Sequence, residues 1–450
     1  MVKALTIPLS ALLLLIGSAG AGAIGFDEAR HLLVRTGFDA APAEIERLKP
    51  LSYERAVALI LKETRTEAVT PPHAWSAEPP PQLPPRATTE QRAQLTRERR
   101  ERALALKGWW FRELRATPSP LTERMTLLWQ AHFGCALDDV QVPQLAWRQN
   151  ALLRRESLGN FRALLQEIAK DPAMIICTGM DGSRKGKADE TFARALLERF
   201  TLGRARYSER DVREAARAFT GWRVNPQTGA AEFDPARHDD GVKTLLGRSG
   251  KLDGAAAIDT VLRDPRTSEL IVRRLWREFI DDQPDPIVVQ RLAQEFRKKY
   301  EIKPLVRELL LSSAFRAPAR RGKMIKSPVE LVAGTARQFA IPVGNGIEFA
   351  QASRALGQDP FNPPAKGWSS GTAWITADAL AARNQLLARL MRGQEQEENG
   401  AVSDNNLDEL TRPQLISTVL AVPPVDPIPA ALSSFDLAAH LVRDPAYQLK

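Results

Sequence analysis

Apolar residues recur every three to four positions through most of the chain, the spacing of one buried helix face. In residues 26–35, Phe26, Ala29, Leu32 and Leu33 share such a face, and Tyr53, Val57, Ile60 and Leu61 repeat it one helix later. Residues 70–85 interrupt the pattern, because seven prolines there cannot continue a helix and favour an extended strap or linker. Helical spacing resumes at Thr88 and runs to Arg115, first with a solvated Arg/Glu half, then with Leu104, Leu106, Trp109, Trp110 and Phe111 on a buried half. Asp171-Pro172, Asp264-Pro265 and Asp444-Pro445 mark helix starts, since aspartate caps free amides and proline at the first helical position leaves none unpaired. Ser208-Glu209-Arg210-Asp211 has capping-box spacing and opens a helix with Val212, Ala215, Ala216, Phe219 and Trp222 on one face. The convincing strand signal is Trp222-Arg223-Val224 facing Ala231-Glu232-Phe233, a hairpin. The pattern predicts a mainly α fold: a large multi-helix body with one small β-hairpin or minor sheet and long Pro-rich loops. It divides into an N-terminal helical segment (24–66), a Pro-rich linker (67–87), a main helical domain (88–394), an acidic flexible linker (395–406) and a C-terminal helical segment (407–450).

The first residues follow a different rule. Met1-Val2-Lys3 precedes an uncharged stretch centred on Leu12-Leu13-Leu14-Leu15-Ile16 and ending in small residues, with Ala21 and Ala23 at A-x-A spacing. A basic start, a short apolar core and a small-residue cleavage site make a secretory signal, so residues 1–23 read as a signal peptide and the mature chain as starting at Ile24. The competing reading is an uncleaved anchor, since the stretch is long enough to span a bilayer. No later segment approaches the ~18 uncharged apolar residues of a span, so the expected location is periplasmic or secreted, with no membrane span after cleavage. Export permits a disulfide between Cys135 and Cys177, which would constrain the unfolded chain by about 4 kcal/mol in the entropic model. Two buried free thiols are the alternative, followed by a nucleophilic thiol.

The 63 basic and 54 acidic side chains, with 44% apolar and 26% charged residues, are ordinary globular composition and exclude extensive disorder. Two cysteines exclude a disulfide framework and a four-thiolate zinc site. H-E-x-x-H, G-x-S-x-G, a Gly-rich phosphate loop and C-x-x-C-H are all absent, so the best-marked enzyme classes lack their signatures and no cofactor is indicated. The densest basic stretch, residues 92–102, is interrupted by Glu98 and Glu101 and reads as a solvated helix face, so no nucleic-acid partner is expected.

Two kinds of candidate site remain. His238-Asp239-Asp240-Gly241-Val242-Lys243 concentrates an imidazole, two carboxylates and an ammonium. Such groups suit general acid/base work, and His238, Asp239 and Asp240 are candidate metal ligands. Alternating side chains in an extended segment cannot converge without a turn, however, and the competing reading is an Asp-capped turn with His238 bonded to backbone. His132, near Asp138 and Asp139, and Glu190 join His238 and Asp239 as catalytic candidates. The loop 361–374 sets Phe361, Trp368 and Trp374 beside Asn362, Lys366 and Thr372, a mixture that can stack against a sugar or peptide or pin the loop to the body. The expected ligand groove is bordered by residues 192–203, 220–222, 238–243 and 361–374.

Several blocks together carry a family resemblance. They are His31-Leu32-Leu33-Val34-Arg35-Thr36-Gly37-Phe38, Leu121-Thr122-Glu123-Arg124-Met125 with His132-Phe133, Phe192-Ala193-Arg194 with Phe200-Thr201-Leu202-Gly203, Arg217-Ala218-Phe219-Thr220-Gly221-Trp222, His238-Asp239-Asp240-Gly241 with Lys243, and Phe361-Asn362-Pro363-Pro364 with Gly367-Trp368. Over roughly residues 26–390 the chain resembles the bacterial exported family catalogued as domain of unknown function 1800. The resemblance implies an exported, mostly helical protein and a partnership with a co-exported protein of a family resembling sulfatases and alkaline phosphatases. It also exposes departures. Asp189-Glu190-Thr191 stands where the family reads Asn-Glu-Asn, Ala195 replaces a glutamate, Gln130 replaces the first histidine of Trp-His-x-His-Phe, and the Pro-Pro loop is one residue shorter.

Two functions are therefore expected. One is a non-catalytic envelope scaffold or accessory factor for the sulfatase/phosphatase-like partner, with envelope polysaccharide as a further ligand. The alternative is an atypical, metal-assisted hydrolase or polysaccharide-modifying enzyme. Convergence of His132, Glu190 and His238 in space separates them.

Overall fold

Helices start where local chemistry satisfies their free amides. In the computed structural model, which describes residues 22–398 and 406–450, Asp171 accepts from the Met174 amide, Asp264 from Arg266 and Asp444 from Ala446. Asp285 does the same ahead of Pro286. Capping boxes at Ser208/Asp211 and Ser327/Glu330 open Glu209–Ala218 and Pro328–Gln338. Each such cap stabilises its helix by about 1 kcal/mol. The signal peptide lies outside the described residues except for Gly22 and Ala23.

The fold is mainly α, with two small antiparallel sheets of two strands each among the described residues. The expected hairpin has the register Trp222↔Phe233, Arg223↔Glu232 and Val224↔Ala231. A second hairpin pairs Lys243–Leu245 with Arg248–Gly250. Its turn, Leu246-Gly247, has φ of 49° and 77°. Such primed turns usually announce themselves as Asn-Gly or Asp-Gly, and leucine in the left-handed region hides this one. The helix Ala377–Glu398 runs into the stretch read as an aperiodic linker, because Gln and Glu are good helix formers. Residues 399–405 of that stretch lie outside the described ones. No helix among the described residues is long and apolar enough to cross a membrane.

Apolar side chains gather in two clusters. One joins Gly25–Thr36 and Tyr53–Lys62 to helices between residues 120 and 315. The other packs Leu106, Trp109, Trp110, Phe111 and Leu114, from the second half of Thr89–Ala116, against Pro328–Gln338 and against Leu437, Leu441 and Tyr447 near the C-terminus. Full burial of each such side chain contributes about 1.5–3 kcal/mol. The Pro-rich segment is a strap bonded to this second cluster. Trp109 Nε1 donates to the Thr70 carbonyl (3.1 Å), and Glu113 accepts from the Val69 and Thr70 amides (3.2 and 2.7 Å). Farther along, Gln82 reaches the Pro226 carbonyl at 2.6 Å.

The helix Pro120–Phe133 is buried along most of its length and ties the two clusters together through three consecutive polar residues. Thr122 donates to the Arg65 carbonyl (3.0 Å). Glu123 accepts from Trp110 Nε1 (2.7 Å) and from Arg154 Nε and Nη2 (2.5 and 2.9 Å). Arg124 donates to the Gly37 carbonyl (2.8 Å) and pairs with Glu278 (3.1 Å) and Glu330.

Cys135 and Cys177 form a disulfide across 42 residues of chain, with Cα atoms 6.1 Å apart. Closing a loop of that size restricts the unfolded ensemble, so Cys177→Ser is expected to cost about 2–4 kcal/mol in urea unfolding. Peptide mapping without reductant should recover the two cysteines in one linked species; recovery as free thiols would contradict the bond.

Candidate functional site

The nominated catalytic side chains do not converge. His132 is buried among the rings of Trp129, Phe133, Phe161 and Phe200, with Nε2 3.3 Å from the Phe200 carbonyl. Burial, and then the neighbouring Arg274, hold this imidazole well below its ordinary pKa. Asp138 and Asp139 are exposed and neither hydrogen-bonds nor ion-pairs with it. Glu190 lies at the start of Thr191–Ala195 and pairs with Arg194 (3.1 Å) on the surface. His238 Nδ1 is 2.9 Å from the Thr220 carbonyl.

The 238–243 block is a tied turn. Asp239 takes a two-point contact from Arg217 (2.8 and 3.1 Å) and the Gly241 amide (3.0 Å). The Arg217 hydrogen bonds lower the Asp239 carboxyl to a pKa of about 2. Asp240 turns outward to Lys185 (2.7 Å), while buried Lys243 donates to the Asp239 and Gly241 carbonyls. The three proposed metal ligands thus face three different partners, as alternating side chains must when Arg217 claims one of them. No group of three His, Cys, Asp or Glu side chains placed to hold a metal ion occurs among the described residues.

The loop 361–374 divides into an anchor and a wall. Phe361 is buried edge-on to Trp110, its ring centre 5.1 Å away. Its amide donates to Gln130 Oε1 (3.0 Å) and its carbonyl accepts from the Leu137 amide (2.8 Å). Asn362 accepts from the Asp138 amide (3.0 Å) and donates to Asp359 (2.9 Å). Gln130, one of the departures from the family pattern, is therefore a loop anchor. Lys366, Trp368 and Trp374 instead line a cleft of about 600 Å³.

That cleft lies between the loop, the helices Pro120–Phe133 and Pro265–Phe279, and residues 323–330. Seven cations line it: Arg124, Arg199, Arg274, Arg277, Lys323, Lys366 and Lys450. Three carboxylates oppose them: Glu278, Asp282 and Glu330. Glu330 is occupied by Arg124 and Lys450, and Glu278 by Arg124. Arg199, Arg277, Lys323 and Lys366 have no carboxylate partner among the described residues. Arg199 is aimed by a π turn, Leu196–Thr201, and held by the Phe133 and Ala365 carbonyls. Burial first, and neighbouring guanidiniums after it, lower Arg274 to a pKa of about 10 and Lys450 to about 8.

Of the expected groove, the loop and Arg199 border this cleft, whereas residues 220–222 and 238–243 do not. Those segments are drawn onto the helix Glu209–Ala218 by Arg217–Asp239, by Glu214 accepting the Thr244 amide (2.8 Å) and by Asp211 accepting the Leu246 amide (2.7 Å). Arg274, Arg277 and Lys323 lie outside every segment the sequence nominates. Arg274 and Arg277 do stand at helical spacing, but Glu278, Asp281 and Asp282 follow them closely, so the local pattern does not mark them as unpaired.

Fold and site define a mainly helical protein with a cationic, tryptophan-walled cleft. The family model described as protein of unknown function DUF1800 matches residues 31–449, and the chain belongs to that family. No curated protein and no solved structure matches it.

Proposed function

We propose that this is an exported, non-catalytic accessory protein of the cell envelope that holds an acidic polysaccharide in the cationic cleft and serves a co-exported sulfatase- or alkaline-phosphatase-like partner. The observation that carries the reading is the excess of cations over carboxylates around one cleft of ligand size, with Trp368 on its wall. Guanidinium and ammonium groups take carboxylate or sulfate esters, and an indole face takes a sugar ring. The internal commitments of His132, Glu190, His238 and Asp239 favour binding over catalysis.

Calorimetric titration with a polyuronate, a sulfated dextran and neutral dextran tests the reading. The acidic polymers should bind, more weakly as salt rises, and the neutral one should not. Arg277→Glu and Trp368→Ala should each weaken binding by roughly tenfold, about 1.4 kcal/mol, without lowering the melting temperature by more than a few degrees. Equal binding of neutral and acidic polymers, or none, would overturn the cleft assignment. Export is tested by N-terminal sequencing of the protein from its native host, expected to start at Ile24. The accessory role predicts co-purification with the co-exported partner.

A further inference from the structure

A second groove, sharing no lining residue with the cleft, lies between the helices Thr89–Ala116 and Ile347–Ala355. The helices meet at Gly108, where a Cβ would sit 2.5 Å from the Asn345 carbonyl oxygen, so backbone touches backbone there. On the N-terminal side of that crossing the groove opens to about 600 Å³. Thr96, Arg99, Arg100, Ala103, Leu104 and Lys107 recur at helical spacing along one wall, so a whole face of the long helix looks into the groove.

That face has two chemistries. Ala103 and Leu104, with Leu137, Pro143 and Ala350, make an apolar floor. Arg99, Arg100 and Arg354 stand around it as cations. At the base Lys107 is already neutralised by Asp359 (2.7 Å), and Arg354 lies 3.7 Å from the same carboxylate. Arg99 Nε is shielded from solvent without a hydrogen-bond partner, and Arg100 has no ion pair among the described residues. Asp138, on the far wall, is the other carboxylate in the groove.

We propose that this groove docks an acidic segment of a partner polypeptide, whose carboxylates pair with Arg99, Arg100 and Arg354 while an apolar side chain seats on the Leu104 floor. An acidic polysaccharide would supply the charges but no aliphatic anchor, and a neutral apolar peptide would supply the anchor but leave the arginines unpaired. Charge complementarity and the apolar floor together select an amphipathic acidic peptide. The inference gives the accessory reading a partner surface, yet stands without the polysaccharide cleft.

Fluorescence anisotropy on the mature chain tests it, with a labelled amphipathic Glu/Leu peptide as probe. Comparators are its Lys/Leu counterpart, polyglutamate and a polyuronate. The Glu/Leu peptide should bind saturably, polyglutamate and polyuronate should displace it only weakly, and the Lys/Leu peptide should not bind. Arg99→Glu and Arg354→Glu should each weaken it by roughly tenfold, and Gln351→Trp, which fills the groove from an exposed position, should do likewise. Arg277→Glu, in the other cleft, should leave peptide binding unchanged. No saturable binding, polyglutamate displacing the probe as well as unlabelled amphipathic peptide does, or equal loss in Arg277→Glu would each overturn the proposal. Loss of peptide binding with polysaccharide binding intact removes this inference alone. Peptide binding that persists where polysaccharide binding fails supports it and removes only the cleft reading.

Discussion

Glu123→Leu is expected to lower the unfolding free energy by about 3–5 kcal/mol, because it strands a buried cation. Glu123 and Arg154 are both fully buried, and Arg154 lies over the Trp109 ring at 5.3 Å. Burial alone would lower the Arg154 pKa, but Glu123 beside it raises it above the ordinary value. Without the carboxylate, Arg154 keeps its desolvation cost with no compensating charge, and Trp110 Nε1 loses its acceptor. Removing both partners behaves differently, since replacing a buried pair by apolar residues is often near neutral. Glu123→Leu combined with Arg154→Leu should therefore recover most of the loss. Urea midpoints at unchanged m-value give the comparison. A single-variant loss below about 1 kcal/mol, the range of exposed pairs such as Glu190–Arg194, would show that the network is not what joins the two cores.

The second large effect is acid destabilisation that begins near neutral pH. Burial, then Arg35, lowers His31 to a pKa of about 3, and burial holds His132 well below its ordinary value. Below about pH 6.5 the unfolded chain protonates both imidazoles while the native state does not, so stability falls as pH falls, by up to about 1.4 kcal/mol per pH unit for each. Asp171 works in the opposite direction. Burial raises it to about 6, so between there and its unfolded value near 4 the native state binds the proton and gains stability. Two histidines against one aspartate leave a net loss of about one proton's worth across that window. Below about pH 4 the depressed carboxyls of Asp239 and Glu330 add to it. Urea midpoints between about pH 7.5 and 4.5 should fall steadily, and His31→Gln should make the slope shallower by about one proton. An unchanged slope in that variant would mean that His31 titrates normally in the folded protein.

Some signals in the sequence were local and therefore readable. The Asp-Pro starts, the Ser208/Asp211 box and the buried half of the long helix each depend on residues within a turn or two of one another. The hairpin at Leu246-Gly247 was equally local but lacked the usual turn residues, so its strands went unseen. Local density misled at His238-Asp239-Asp240, where a partner 22 residues away, Arg217, removes Asp239 from any ligand set. The loop 361–374 serves two ends. Lys366, Trp368 and Trp374 line the cleft, while Phe361 and Asn362 serve as anchors.

By itself, the sequence determined that the chain is helical, where several of its helices begin, and which of their faces are apolar, because these rest on backbone hydrogen bonding and side-chain spacing within a few residues. Only the tertiary structure decided which charges are spent and which are free. Glu330 meets Arg124 across 206 residues of chain and Glu123 meets Arg154 across 31, whereas Arg199, Arg277, Lys323 and Lys366 come together from four separate segments without an ion-pair partner among the described residues. A charge's partner, and the solvent it loses, are set by whatever the packed helices bring alongside it, and no spacing along the chain encodes that.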